Sequence, residues 1–251
     1  MGADSRREDA LLSLLRAVAC SLPADVTTAL EGALAAEGDP RARLLLGQAL
    51  RNGRQAQAEG LPLCEDRGRP VFFIADEATT GAVKRAARRA RAQGWVGGPL
   101  RVVQGGAVPQ GCIGVLVPGR SPRRAARAVA LPRGGDEGAL AEAVARAVAR
   151  AQGLLCPPLL VGVGLGARRA QARLRALQAL LRPLDAPPTP LEGPLTAAVG
   201  SSCPGLPLLG LRVQGVLPAR YLAVEFLCRS ARRRLVALSP EAAYGRQQSS
   251  G

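Results

Sequence analysis

The sequence has no histidine, few aromatic residues and a single lysine. Among its 251 residues, Phe, Trp and Tyr together make up 2%, and the one lysine is Lys84. The lack of histidine excludes the Ser-His-Asp triad and imidazole metal sites, and it removes the commonest general base. The scarcity of aromatic side chains leaves few platforms for stacking nucleic-acid bases, and no zinc-finger or helix-turn-helix pattern is present.

The positive charge of the chain comes almost entirely from arginine. The formal net charge is +15, and a basic protein can bind nucleic acid by releasing counterions from the phosphates. Here the arginines are spread along segments rich in Ala, Leu, Gly and Pro. This distribution disfavours nucleic acid as the partner, and an Arg-rich nucleic-acid binder is the weakest of three hypotheses that the sequence allows.

Membrane and export signals are also missing from the sequence. We find no apolar run of the roughly 18 to 20 residues that a membrane helix needs, and the polar start MGADSRRED lacks the apolar region of a secretory signal. We therefore expect a cytoplasmic protein without a membrane partner. Its 47% hydrophobic content is enough to form a core.

Six widely spaced cysteines stand out in a chain without an export signal. None belongs to a C-x-x-C pair, and disulfides are disfavoured in this setting. A site built from distant thiolates stays possible. The cysteines are Cys20, Cys64, Cys112, Cys156, Cys203 and Cys228.

The first 60 residues predict a helical layer. An apolar stripe marks the first helix, and Asp39 followed by Pro40 is a typical start for the third. The first stripe is Leu11, Leu12, Leu14, Leu15 and Val18, and the buried face of the third helix is expected at Leu44, Leu45, Leu46 and Leu50.

From residue 61 onward, strands and helices alternate. We predict strands at 70–74, 100–103, 112–117, 159–163, 208–213 and 221–227, and helices at 79–93, 136–152 and 167–181. Residues 185–194 are predicted as a loop and 229–234 as a basic turn. The expected fold class is α/β (mixed α+β), with an N-terminal helical layer (1–60) followed by alternating strands and helices around a mixed sheet (61–251), all in one domain.

A glycine-rich segment, Gly162-Val163-Gly164-Leu165-Gly166, joins a strand to a helix. Bare backbone N–H groups at such a turn can hold an anion. A dinucleotide site would instead place its third glycine one position later and an acidic residue at the end of the next strand. A tight packing turn between strand and helix is an equally good interpretation.

Two cysteines occupy turns beside strand ends. Cys64 lies in Leu61-Pro62-Leu63-Cys64-Glu65-Asp66-Arg67-Gly68, and Cys156 comes directly before two prolines that hold its backbone extended. Asp66 is the best placed carboxylate for chemistry, although a turn-forming role before Gly68 explains it equally well.

These two turns resemble motifs of the class I iron-sulfur fumarate hydratases and tartrate dehydratase alpha subunits. Pro62 to Gly68 is similar to the family's Pro-Leu-Cys-Gln-Asp-Thr-Gly turn, and Cys156 to Ala167 is similar to its cysteine, double proline and Gly-Val-Gly-Ile-Gly-Gly segment. The resemblance is to the cluster-binding N-terminal half and spans most of the chain.

The resemblance implies a [4Fe-4S] cluster held by three thiolates, with one iron open to a small dicarboxylate substrate. Cys64 and Cys156 match two cluster cysteines, and Cys112 is the cysteine between them, so it is assigned as the third ligand. Asp66 matches an active-site aspartate, and Arg101 aligns with a Leu-Arg segment of the family and is assigned to hold substrate. The implied activity is reversible hydration or dehydration of fumarate/malate or tartrate, with a separate beta subunit or an oligomer supplying the family's other half.

One departure from the family supports an alternative from another class. A Lys-Gly-Gly-Gly-Ser loop of the family corresponds to Val117-Pro118-Gly119-Arg120-Ser121, which lacks the lysine and two of the three glycines. A chain with this change is also expected if the protein is a catalytically degenerate homologue that binds a partner without enzymatic activity.

Overall fold

A computed structural model describes residues 3–75, 77–104, 108–109, 111–132, 135–228 and 231–237. The helices are α1 (Ala3–Cys20), α2 (Ala24–Ala36), α3 (Pro40–Glu59), α4 (Thr80–Ala92), α5 (Arg120–Ala125), α6 (Glu137–Ala151), α7 (Arg169–Ala179) and α8 (Glu192–Ser202). The strands are β1 (Val71–Ile74), β2 (Arg101–Gln104), β3 (Cys112–Leu116), β4 (Arg127–Ala130), β5 (Leu159–Gly166), β6 (Leu208–Gln214), β7 (Tyr221–Leu227) and β8 (Arg233–Ala237). The predicted mixed α+β class is confirmed.

The strands form two mixed sheets instead of the one that was predicted. In the first sheet the order is β2-β1-β3-β8, and β1 runs parallel to β2 and antiparallel to β3. In the second the order is β4-β7-β5-β6, and β5 runs parallel to β6 and antiparallel to β7. Each central strand therefore has one parallel and one antiparallel neighbour.

The helix α7 lies between the two sheets. Leu177 of α7 and Leu181, two residues beyond its end, pack against Phe73 and Leu116 of the first sheet, while Ala172 and Ala176 face the second sheet. The outer face of the first sheet packs on α1 and α4, and that of the second packs on α6 and α8. The two sheets and three helical layers are thus stacked with their apolar faces in contact.

The N-terminal helices confirm two local predictions and correct a third. Leu11, Leu15 and Val18 are fully buried, and Asp39 caps α3 by accepting a hydrogen bond from the Arg41 N–H at 2.7 Å. The predicted buried face of α3 is wrong at Leu44, which is 56% exposed. Successive helical residues point about 100° apart, so Leu44, Leu45 and Leu46 cannot share one face.

One apolar stretch meets a simple criterion for a membrane span. It covers Ser5–Ala36 and contains a window of 18 residues with a mean hydropathy of 1.4, which the sequence analysis did not identify. The chain turns within this stretch at residues 21–23, between α1 and α2. Leu11 and Leu15 are buried against the first sheet, so core packing accounts for the apolar character of this stretch.

The glycine-rich segment belongs to β5 and is not a turn. A Cβ atom on Gly162 would lie 2.6 Å from Leu180 Cγ, and one on Gly164 would lie less than 3.0 Å from Ala172 O and Ala176 N. These glycines therefore allow the backbone of α7 to pack directly against β5. The Ala167 N–H, the first donor beyond the strand, bonds to Gln171 Oε1 at 2.9 Å. The packing interpretation is supported over the anion site.

Several predicted loops contain regular structure. The sequence analysis missed α5, β4 and α8, and the loop expected at 185–194 ends where α8 begins at Glu192. The predicted basic turn at 229–234 is corrected for its described part, because Arg232 and Arg233 are buried and Arg233 begins β8. Arg229 and Ser230 lie outside the described residues. The predicted division of the chain into domains stays a prediction.

Candidate functional site

Cys64 follows a residue that two helices hold in place. The N–H of Leu63 donates to Ala19 O in α1 at 2.8 Å, and the carbonyl of Leu63 accepts from Asn52 Nδ2 in α3 at 3.1 Å. The Leu63 side chain is buried. Because both backbone groups and the side chain of Leu63 are fixed, the position of Cys64 at the edge of the first sheet is fixed as well.

Asp66 ties the cysteine turn to the start of α5. One of its carboxylate oxygens accepts from the Gly68 N–H at 3.0 Å, and the other accepts from the Arg120 N–H. Burial acts to raise the pKa of Asp66, but these two hydrogen bonds and the charges of Arg232 and Arg120 outweigh it and lower the pKa. The carboxylate is therefore ionised, and the turn-forming role expected for Asp66 is present.

Gly68 allows the turn to pack against the end of β3. Its φ of +64° lies in the left-handed region, and a Cβ atom there would lie 2.8 Å from Pro118 O and 3.0 Å from Arg232 Nη2. The next residue, Arg69, donates its N–H to Pro118 O at 3.1 Å. The Cys64 turn, Pro118-Gly119 and Arg232 are thus parts of one compact site.

Arg232 is the buried centre of this site. Its residue exposure is 2%, and Cys64, Cys228 and Asp66 all interact with its charge. Burial lowers the pKa of Arg232, and these three groups oppose the shift by favouring the charged form. Two thiols and a carboxylate from different segments of the chain are therefore brought together around one guanidinium group.

Cys156 and Cys228 lie at the same end of the second sheet. Cys228 directly follows β7, whose Leu227 pairs with Leu160 of β5, and Cys156 lies three residues before β5 begins at Leu159. Cys156 is exposed, whereas Cys64 and Cys228 are partly buried. Antiparallel pairing of β5 with β7 thus places the thiol before one strand near the thiol after the other.

Cys112 lies away from the Cys64 turn. It begins β3, whereas the turn contacts Val117 and Pro118 beyond the other end of that strand. At about 3.3 Å per residue, Cys112 and Val117 are separated by about 17 Å along the strand direction. The structure therefore groups Cys64 with Cys228 and does not bring Cys112 to them.

Arg101 is exposed at the first position of β2, and the groups that interact with the Arg232 charge do not include it. It is near enough to Glu225 to interact with that buried carboxyl, which also forms an ion pair with Arg173 at 3.3 Å. Burial raises the pKa of Glu225 despite these two arginines. Arg101 thus lies at the margin of the site, where its backbone N–H donates to Pro70 O.

No three His, Cys, Asp or Glu side chains in the described ranges are arranged to hold a single metal ion. The cysteines of a [4Fe-4S] cluster bind separate iron atoms. The thiols are therefore considered one by one: Cys64 and Cys228 both interact with the charge of Arg232, and Cys156 lies at the same end of the second sheet as Cys228. These cysteines are sulfur donors from three separate segments of the chain. The roles assigned to individual residues stay predictions.

Sequence reasoning missed Cys228 and Arg232. Cys228 directly precedes the stretch 229–234 that the sequence analysis interpreted as a basic turn, and Arg232 lies within that stretch. In its described part Arg232 and Arg233 are buried, and Arg233 begins β8. The available signal was the order of residues from Cys228 to Arg234, where a cysteine is followed by several arginines. No local sequence pattern links this stretch to Cys64, because the two segments are brought together by β-sheet pairing between distant parts of the chain.

The fold and the site together define the class of protein. This is a mixed α/β protein with cysteine thiols gathered around a buried arginine where strands of two sheets end. Residues 8–107 and 114–198 match the model of the family described as fumarate hydratase (Fumerase). These segments cover more than half of the chain, so the protein belongs to the fumarate hydratase family, and the resemblance to the class I iron-sulfur type is confirmed.

The family match covers only some of the candidate cysteines. Cys64 and Cys156 lie within the matched segments, Cys112 falls in the gap between them, and Cys228 lies beyond the second. No curated protein matches the chain. The family is one of hydro-lyases, and the substrate and subunit type of this member are matters for a proposal.

Proposed function

We propose that the protein is an iron-sulfur hydro-lyase subunit of the alpha type that reversibly hydrates or dehydrates a small hydroxy dicarboxylate, fumarate/malate or tartrate, in the cytoplasm. The observation that carries the proposal is the meeting of Cys64, Cys228 and Asp66 around the buried Arg232. Family membership supports the reaction class.

The proposed cofactor is a [4Fe-4S] cluster held by three thiolates. Cys64 and Cys156 are retained from the sequence assignment, and we propose Cys228 in place of Cys112 as the third. Pairing of β5 with β7 supports Cys228, while the separation along β3 argues against Cys112. When bound, the cluster supplies a Lewis-acidic iron that polarises the hydroxyl group leaving as water.

The residues of this chain bind and orient the substrate. Arg101 is exposed and can hold a carboxylate through two parallel N–H···O bonds. The Asp66 carboxylate is ionised, and each of its oxygens keeps a lone pair beyond the one that accepts a backbone N–H. It can therefore accept the hydrogen of a substrate hydroxyl group. Arg67 and Arg120, both exposed beside Asp66, add positive charge that attracts a dianion.

A second polypeptide is part of the proposal. We expect a beta-type subunit to supply further substrate contacts, so the alpha-type chain alone should bind a cluster but turn over slowly. The test is fumarate hydration and tartrate dehydration by the anaerobically reconstituted chain, assayed alone and with a class I beta-type chain. Activity that requires both chains and is lost in Cys64→Ser supports the proposal, and a cluster-loaded pair without activity on either acid contradicts it.

The second candidate is a partner-binding homologue without catalysis. The altered Val117–Ser121 loop favours it, as does the engagement of both Asp66 oxygens with backbone N–H groups. This candidate predicts that the purified chain binds the beta-type polypeptide but takes up no iron. Full iron occupancy together with turnover would exclude it.

A further inference from the structure

Arg232 has two buried N–H groups for which the described protein supplies no acceptor. Both Nε and Nη1 are fully buried, and neither forms a hydrogen bond with a described residue. Buried polar groups are nearly always hydrogen-bonded, and an unmatched buried cation is strongly unfavourable. A guanidinium kept in this state indicates that its acceptors belong to something that the protein binds.

The groups that surround Arg232 identify the chemistry of those acceptors. The negative or potentially negative neighbours are Cys64, Cys228 and Asp66, and Arg67 is the positive neighbour that opposes them. The Asp66 oxygens already accept from the N–H groups of Gly68 and Arg120. Apart from Asp66, the groups that favour the charged form of Arg232 are the thiols of Cys64 and Cys228, so sulfur atoms are the acceptors that we consider.

Arg232 differs from its neighbours in lacking an acceptor among the described residues for two buried nitrogen atoms, whereas Arg233 lacks an acceptor for Nε alone. Arg233 pairs with Asp25 in α2 and donates to Leu181 O at 3.3 Å. Arg234 donates to Ser21 O and Ser21 Oγ, both at 2.9 Å. These two side chains join β8 to the helical layers, whereas Arg232 points toward the cysteines.

The position of Arg232 is also fixed by its surroundings. Its carbonyl accepts from the Val117 N–H at 2.9 Å. A Cβ atom on Gly68 would lie 3.0 Å from Arg232 Nη2, and one on Gly119 would lie 3.5 Å from it. The backbone of the Cys64 turn and that of the loop before α5 therefore approach the guanidinium closely.

We propose that Arg232 is a positioning residue that donates Nε–H and Nη1–H hydrogen bonds to the sulfur atoms of the bound cluster and its thiolates, and that its charge raises the reduction potential of the cluster. The inference rests on the proposed function, because it requires the cluster. Hydrogen bonds to sulfur and nearby positive charge stabilise the more negative, reduced form of an iron-sulfur cluster.

The test compares reduction potentials of Arg232→Gln and Arg232→Lys with wild type. The clusters are reconstituted anaerobically and titrated with dithionite while the reduced form is followed by electron paramagnetic resonance. Arg232→Gln should weaken the stability of the reduced form relative to the oxidised form at least tenfold, which for a one-electron couple lowers the potential by about 59 mV. Arg232→Lys keeps the charge but not the forked N–H donors of the guanidinium, so its reduction potential should lie between those of wild type and Arg232→Gln.

Arg234→Gln is the matched control. It removes the same charge from a residue that is two positions after Arg232 and whose side chain is bonded to α1. Its potential should stay close to that of wild type. Loaded Arg232→Gln with a wild-type potential overturns the inference. Should Arg232→Gln fold, as judged by circular dichroism, but not load, Arg232→Lys decides, and an unchanged potential in that variant overturns the inference.

The iron content of the wild type separates this inference from the proposed function. A wild type that takes up no cluster refutes the proposed function, and the inference about Arg232 is refuted with it. A wild type that loads normally while all Arg232 variants keep its potential leaves the proposed function in place and refutes the inference alone.

Discussion

Replacement of Gly164 by alanine is the most direct perturbation of the fold. The new methyl group would lie less than 3.0 Å from Ala172 O and Ala176 N and 3.0 Å from Ala176 Cα, whereas ordinary contacts begin at 3.4 Å. All three atoms belong to the backbone of α7, so no side-chain rotation relieves the overlap. The helix α7 must therefore move away from β5.

Movement of α7 affects both sheets, because the opposite side of the helix packs on the first sheet. Overpacking of a core costs about 1 to 3 kcal/mol, and a clash with backbone belongs at the upper end, about 3 kcal/mol. For a chain of this size, each kcal/mol shifts the Tm by about 2 to 4 °C. From this proportionality between free energy and Tm, we expect Gly164→Ala to lower the Tm by about 10 °C.

The assay is thermal unfolding followed by circular dichroism, with Gly200→Ala as the control. Gly200 lies in α8, and a Cβ atom there would contact nothing within 4 Å. Alanine should stabilise that helix by roughly 0.5 to 1 kcal/mol. An unchanged Tm for Gly164→Ala would refute the close packing of α7 on β5.

Three further predictions concern buried or partly buried carboxylates. Asp66→Asn replaces one carboxylate oxygen by an NH2 group, so one of the two backbone N–H groups of Gly68 and Arg120 loses its acceptor, at a cost of about 1 to 3 kcal/mol. Because the pKa of Asp66 is lowered in the folded state, this cost should disappear in thermal melts as the pH falls through that pKa, and a pH-independent cost would contradict it. Glu192→Gln breaks a buried ion pair with Arg212, formed at 2.8 Å between side chains 5% and 7% exposed, and should cost about 3 to 5 kcal/mol in urea unfolding; a loss near zero would show that the pair does not form. Burial raises the pKa of Glu225, so the stability of the wild type should fall as the pH rises from the pKa of Glu225 in the unfolded chain to its pKa in the folded chain. Glu225→Gln should lack this fall, and identical pH profiles of the two proteins would argue against the raised pKa.

Local patterns in the sequence predicted most of the regular elements. The Asp39-Pro40 start, the apolar stripe of α1 and the helix that became α6 depend on neighbouring residues, and the structure contains them. Which leucines of α3 are buried depends on the elements packed against the helix. Three consecutive leucines gave no information on that choice, and Leu44 is exposed.

The glycines of β5 show how tertiary packing overrides a local motif. Gly162 and Gly164 belong to a segment that was predicted to join the strand 159–163 to the following helix as a glycine-rich turn. In the structure they are strand residues whose missing side chains allow α7 to approach. The need for that approach arises only when helix and sheet meet, so a single sequence cannot distinguish the two roles.

The candidate site was predictable in its local parts. The turns at Cys64 and Cys156 carry recognisable motifs, and the Asx turn of Asp66 follows from its spacing to Gly68. The meeting of Cys64 with Cys228 depends on contacts between segments more than 150 residues apart in the sequence. Cys112 was chosen because it lies between two recognised cysteines, and order along the chain does not determine distance in the fold.

The central claim is that Cys64, Cys156 and Cys228 hold an iron-sulfur cluster beside Arg232. The most direct measurement is the iron and acid-labile sulfide content of wild type, Cys228→Ser and Cys112→Ser after anaerobic reconstitution, with Cys203→Ala as a control in the core of the second sheet. The account predicts about four irons per chain in wild type, Cys112→Ser and Cys203→Ala, as a [4Fe-4S] cluster requires, and loss of the cluster in Cys228→Ser. Full occupancy in Cys228→Ser together with loss in Cys112→Ser would contradict the account.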